Sequence, residues 1–191
     1  LDVDAASGCF SGRSHLLLAV SQTASPTGSF NLFSIDVTND GQNGTPSHPR
    51  CPCFGDQPLL GADANGLFIS TNEFPLFVPG FNGAQIYALS KRKLAAGVLP
   101  TVVHIDGGPL EEGPSYSVQP ATSPDLGRGD DDGDAVEFSL TALAFDGTLD
   151  NRVAVAALTN TRSLSAAPPG AALSHAATPS AGSGQPPDPH Q

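Results

Sequence analysis

Three carboxylates in one dense stretch are the first residues that suggest chemistry. Asp56, Asp63 and Glu73 fall at the ends of apolar runs between residues 51 and 74. Glycoside cleavage needs paired carboxyl groups, one as acid and the other as base or nucleophile. A hydrolase or lyase acting on carbohydrate is therefore one reading of this trio. The other is structural: Asp63 shapes the Asn65-Gly66 turn and Asp56 caps a second one. The sialidase-type pattern Ser-x-Asp-x-Gly-x-x-Trp is absent, and the chain has no Trp to stack on a sugar ring.

Cysteine offers a second chemistry. Cys9, Cys51 and Cys53 are an odd number, which in an oxidising compartment predicts one disulfide and one free thiol. Cys9 is expected to pair with Cys51 or Cys53, because a Cys51–Cys53 bridge would close a very small, strained ring across Pro52. Inert thiols are an alternative. So is metal: His48-x-x-Cys51-x-Cys53 places three soft ligands close together, Cys9 offers a fourth, and zinc accepts such a set. The spacing is not the usual paired Cys-x-x-Cys, and Pro49 and Pro52 stiffen it.

A third candidate is the loop Arg128-Gly-Asp-Asp-Asp-Gly-Asp134. Alternate carboxylates at Asp130, Asp132 and Asp134 suit a hard cation such as calcium. The EF-hand pattern wants Gly next and Glu further on, whereas Ala135 and Val136 follow, so a solvated acidic loop competes. The remaining signals are weaker. Histidines 15, 48, 104, 175 and 190 are scattered, and no Gly-x-Ser-x-Gly elbow, His-Glu-x-x-His or phosphate-binding glycine loop is present. Lys91-Arg92-Lys93 reads as the solvated face of a short helix. Asn43-Gly-Thr45 is a glycosylation acceptor only in a eukaryotic secretory route.

The elements that would position these residues are strands. Apolar runs recur in pairs: 15–21 with 30–36, 66–72 with 84–90, and 136–143 with 152–158. Each is short, rich in aromatic and branched residues, and partly alternating, so one face meets a core. Turn residues separate the members: Ser25-Pro-Thr-Gly28, Pro79-Gly-Phe-Asn-Gly83 and Asp146-Gly-Thr-Leu-Asp-Asn151. The pair recurs at about 50 residues, with a longer insertion in the last interval, as a propeller blade requires. The middle unit predicts strands at 57–63, 66–72, 84–90 and 101–106, with a helical turn between Ser90, its cap, and Gly97, its terminator. The expectation is an all-β chain of antiparallel four-stranded blades, about two to three of them. The repeats lie near 9–50, 51–110 and 111–165.

Composition narrows the function classes. Eight basic residues face nineteen acidic ones, for a formal charge of -11, and such a surface repels nucleic acid and anionic lipid. No apolar run approaches the roughly 20 residues of a membrane-spanning helix. The chain lacks Met and opens Leu1-Asp-Val-Asp, which reads as a processed chain or an internal piece. From Ala166 to Gln191 it is dominated by Ala, Pro, Ser and Gly, and a disordered tail is expected there because so little apolar surface is available.

Several segments carry a family resemblance. Cys51-Pro-Cys-Phe-Gly-Asp-Gln-Pro-Leu-Leu-Gly-Ala-Asp-Ala-Asn-Gly-Leu-Phe-Ile-Ser-Thr-Asn-Glu-Phe74 is similar to a stretch of uncharacterised bacterial secreted β-propeller proteins. So are Ala19-Val-Ser-Gln-Thr23, Pro26-Thr-Gly-Ser-Phe-Asn-Leu-Phe33, Phe81-Asn-Gly-Ala-Gln-Ile-Tyr-Ala-Leu-Ser-Lys-Arg92, Tyr116 to Ala121 and Leu143 to Thr161. The resemblance covers most of residues 10–165 and implies a propeller fold, an extracytoplasmic location and further blades as partners. It implies no reaction. Phe30 stands where these proteins tend to place a Trp. The resulting expectation is a non-catalytic binding or scaffold segment whose ligand, glycan or protein, is not legible.

Overall fold

The computed structural model describes residues 1–110, 113–122, 136–143 and 150–183; Asp130, Asp132 and Asp134, the expected calcium ligands, lie outside them. Strand β1 (His15–Ser21) pairs antiparallel with β2 (Phe30–Asp36) in a two-stranded hairpin. Strands β3 (Cys53–Ala62), β4 (Gly66–Pro75), β5 (Gly83–Ser90) and β6 (Val103–Asp106) form a four-stranded sheet in that order. Strands β7 (Pro109–Leu110) and β8 (Gly113–Pro114) make a small arm. A second four-stranded sheet contains β9 (Gln119–Pro120), β10 (Glu137–Ala142), β11 (Asp150–Thr159) and β12 (Ala172–Ser183), again in chain order. Every paired strand runs antiparallel to its neighbour. The chain is all-β. Among the described residues no helix is long and apolar enough to cross a membrane.

The first meander sits between the other two layers. On one face Ile69, Tyr87 and Leu89 pack with Phe33, Ile35 and Val37 of the hairpin side, and with Leu94. On the other, Phe68 and Ala88 meet Leu158 and Leu164 of the second meander side. Every residue of β5 is buried; with both faces covered, alternation vanishes from its environment. Full burial of Tyr87, Phe68 and Leu89 supplies about 1.5–3 kcal/mol for each apolar side chain of that size.

The helical turn forms as expected. Helix α1 (Lys91–Ala95) starts at Ser90, whose Oγ accepts from Lys93 N at 3.4 Å. Gly97 ends it at φ +73°, where a residue without Cβ is unstrained. Strand β3 begins earlier than expected, at Cys53, and carries an irregularity between Asp56 and Leu59 where Pro58 interrupts the ladder.

Within 166–191, where a disordered tail is expected, the described residues 166–183 include a strand. Residues 172–183 are a strand, paired with β11 from Thr159↔Ala172 to Asp150↔Ser183. Its side chains are small and mostly exposed. The pairing relies on backbone hydrogen bonds along the free edge of β11, and that edge position also accommodates Pro179. The second four-stranded sheet therefore extends past residue 165.

A backbone contact joins the first strands of the two meanders, beside a bond from Gln119 Nε2 to Leu60 O at 3.4 Å. Ala62 N donates to Ala121 O at 3.0 Å, and Ala62 bridges Thr122 in parallel. Gly61 permits this approach, since a Cβ there would lie 2.2 Å from the Ala121 carbonyl oxygen and 2.5 Å from Pro120 Cβ. Gly61→Val is expected to cost about 1–3 kcal/mol through forced separation of the two strands. Urea denaturation measures it, and an unchanged midpoint would show that the strands are not held together.

Candidate functional site

The most concentrated polar chemistry gathers around Glu73. The β3–β4 register sets Gly55 opposite Glu73 and Cys53 opposite Pro75; the Thr71 side chain fills the space a Cβ on Gly55 would take, and the cysteines arrive from the strand's start. Glu73 is only 1% exposed. Its Oε2 accepts from Asn39 Nδ2, and its Oε1 accepts from Asn82 Nδ2 at 2.9 Å. His48 Nδ1 lies 2.9 Å from the same Oε1. Asn39 Nδ2 also donates to the Tyr87 hydroxyl at 3.1 Å, and Asn82 Nδ2 to Pro49 O at 2.9 Å. A carboxylate so buried is tolerated because charge-assisted donors replace its water.

Two sulfurs complete the cluster. Cys51 is bonded to Cys53, and Cys9 is free and exposed. This replaces the expected pairing of Cys9 with either of them. The physical reason is placement: residues 51–53 bend into the start of β3, where the two side chains meet with Cα atoms 4.4 Å apart. Sγ of Cys51 approaches Glu73 Oε1 to 3.8 Å. Ligand atoms of Cys51, Cys53 and Glu73 all lie within 4.8 Å of one another. The sulfurs are joined to each other here, so neither is a thiolate.

Beside the cluster lies a cavity of about 280 Å³, lined in part by Asp36, Asn39, Asn43, Thr45, Tyr87 and His104. Asn39 Oδ1 and His104 Nε2, on two of the lining residues, are buried without a hydrogen-bond partner. The His104 ring packs in a tilted arrangement with its centroid 5.2 Å from that of His48 and 5.1 Å from that of Tyr87. Burial, reinforced by the neighbouring His48, pushes His104 down to about 4 against the pull of Asp106. It is a neutral imidazole at neutral pH. Burial likewise raises the Tyr87 hydroxyl above the usual phenol range.

The structure does not bring Asp56, Asp63 and Glu73 together. Asp63 sits in the β3–β4 turn, where its Oδ1 accepts from Asn65 N at 2.7 Å and Gly66 N at 2.6 Å, and its Oδ2 from Thr161 Oγ1 at 2.5 Å. Glu73 stands near the other end of β4; the seven steps from Gly66 span about 23 Å at ~3.3 Å per residue. Asp56 pairs with Asn72 in the ladder, so its side chain leaves the face opposite to that of Glu73. Asp56 is exposed and bonds the adjacent Gln57 N. The acid–base pair of a glycosidase, with carboxyl groups within about 10 Å, is not formed by these three.

A carboxylate that sequence reasoning missed is Glu137. It is buried on β10, and burial together with the Asp63 charge pushes it up to about 7, opposed by an Ala121 backbone hydrogen bond. The native state therefore keeps a proton between pH 4.5 and about 7 that the unfolded chain gives up. Its contribution to stability falls as pH rises through that window. Glu137→Gln removes the buried charge and is expected to raise stability at pH 8 by about 1–3 kcal/mol relative to wild type, with no gain at pH 4. Denaturant titrations at the two pH values measure this; a gain of equal size at both would refute the titration.

Asn39, Asn82, Tyr87 and His104 also escaped the sequence reading as site residues, because only the fold brings them together with Glu73 and His48. No protein-family profile, curated protein or solved structure matches this chain.

Proposed function

We propose that the chain is a non-catalytic segment of an extracytoplasmic β-propeller, its three sheets serving as blades of a binding or scaffold surface. One observation carries the reading: the sheets stack in chain order and both outermost faces of the stack are apolar. On the hairpin, Leu17 is 83% and Leu32 78% exposed; on the second meander, Phe138 and Leu140 are each 53% exposed. Apolar faces on both flanks of a stack are what further blades would cover.

Two other features support it. Rotation about an axis makes equivalent strands run parallel, and the first strands of the two meanders meet through a parallel bridge. The Cys51–Cys53 disulfide fits an oxidising compartment. The cavity beside this network, lined by Asp36, Asn39, Asn43 and Thr45 together with Ile35, Leu99 and Val102, suits a ligand that offers both hydroxyl groups and an apolar face, of the glycan class. The wild-type chain, measured by light scattering, is expected to exceed its monomer mass of 19.4 kDa. A concentration-independent monomer would argue against the open flanks.

A further inference from the structure

The disulfide and the carboxylate around it have a second state. The geometry points to a redox-gated zinc site formed by Cys51, Cys53, His48 and Glu73 once the Cys51–Cys53 bond is reduced. It goes beyond the propeller reading and does not depend on it.

The argument is one of distances. Around a tetrahedral zinc ion with ordinary bond lengths, two sulfurs stand about 3.8 Å apart, a sulfur and an oxygen about 3.5 Å, and a nitrogen and an oxygen about 3.3 Å. Here Cys51 Sγ to Glu73 Oε1 is 3.8 Å and His48 Nδ1 to the same oxygen is 2.9 Å. Two edges of the polyhedron are therefore close to their bound lengths before any metal enters. The sulfur–sulfur edge has to open, which cleavage of the disulfide allows. The donor set, two thiolates with imidazole and carboxylate, matches zinc chemistry and disfavours calcium or magnesium.

The surroundings are arranged for a ligand set. Asn39 already holds Glu73 Oε2, and Oε1, which accepts from Asn82, keeps a second lone pair to offer the metal. Asn82 Nδ2 lies 3.7 Å from Cys51 Sγ and 3.5 Å from Cys53 Sγ, placed to donate to thiolate charge as outer partners of zinc sites do. Cys53 is fully buried and His48 half-buried, so one side remains open for entry. Cys9, the fourth ligand expected from the sequence, is not in this group; Glu73 takes its place beside Cys51 and Cys53, and His48 joins them through its contact with Glu73 Oε1.

The steps balance with a dithiol reductant. The dithiol transfers two electrons and two protons, becoming its own disulfide, and the Cys51–Cys53 bond becomes two thiols. Zinc then binds as both thiols lose their protons to solvent, and the proton on His48 Nδ1 moves to Nε2 or to water. A disulfide oxidant reverses the sequence, rejoining the sulfurs and expelling the ion.

Cobalt(II) tests it, because thiolate-ligated tetrahedral Co²⁺ has a charge-transfer band and intense visible absorption. Reduced protein, freed of reductant, is expected to take up one equivalent of Co²⁺ with that spectrum, to lose it on adding Zn²⁺, and to show none when oxidised. Cys9→Ser should keep the signal, and Cys51→Ser should abolish it. His48→Gln should weaken Co²⁺ binding at least about tenfold, with circular dichroism confirming that each variant is folded. An absent tetrahedral spectrum in reduced folded protein, an equal signal in oxidised protein, or its loss in Cys9→Ser would overturn the proposal.

Discussion

Replacing Glu73 by Leu is expected to lower the unfolding free energy by about 3–5 kcal/mol, the usual cost of breaking a buried charge network by removing one member. Leu has the wrong chemistry for every neighbour at this position. Asn39 and Asn82 each lose a carboxylate acceptor, and His48 loses the oxygen its Nδ1 faces. Asn39 and His48 come from the segment between β2 and β3, so the loss also loosens the connection between the hairpin and the first meander. The midpoint of thermal unfolding should drop by about 10 °C for a chain of this size. Asp56→Ala, at an exposed position, should stay within about 0.5 kcal/mol of wild type. Equal effects at the two sites would mean that the network contributes nothing to holding these segments together.

The second large effect concerns association. Stacked blades meet front to back, so the hairpin flank of one copy should cover the second meander's outer flank of another. The contact is heterologous, and two copies would bring six sheets, within the four to eight that close a ring. Leu17→Lys with Leu32→Lys charges the first flank; Phe138→Lys with Leu140→Lys charges the second. Each pair replaces exposed apolar side chains, so neither should disturb the core, and each variant alone should be monomeric.

Much of the fold was legible because local signals agreed. Asn65-Gly66 marks the turn between β3 and β4, Ser90 and Gly97 bracket α1, and the apolar runs at 66–72 and 84–90 fall within β4 and β5. What escaped depends on neighbours. Alternation in Glu137-Phe-Ser-Leu-Thr141 shows which residues share a face but not which face is covered. The structure buries Glu137, Ser139 and Thr141 and exposes Phe138 and Leu140, the reverse of what hydrophobicity alone suggests. Strand β12 escaped because its small side chains give no periodic signal, and backbone pairing to β11 makes it a strand. At the site, His48, Cys51 and Cys53 were legible as a local group. Glu73 was noticed, but as one of a catalytic trio with Asp56 and Asp63, since only the β3–β4 register reveals that it faces the cysteines.

The stack with two open apolar flanks is tested most directly by mixing the two charged variants and measuring mass by light scattering. One copy then offers an intact hairpin flank and the other an intact meander flank. The mixture should form a one-to-one dimer although each component alone is monomeric. If the mixture stays monomeric while wild type associates, or if either charged variant dimerises with itself, the flanks do not pair front to back and the propeller reading falls.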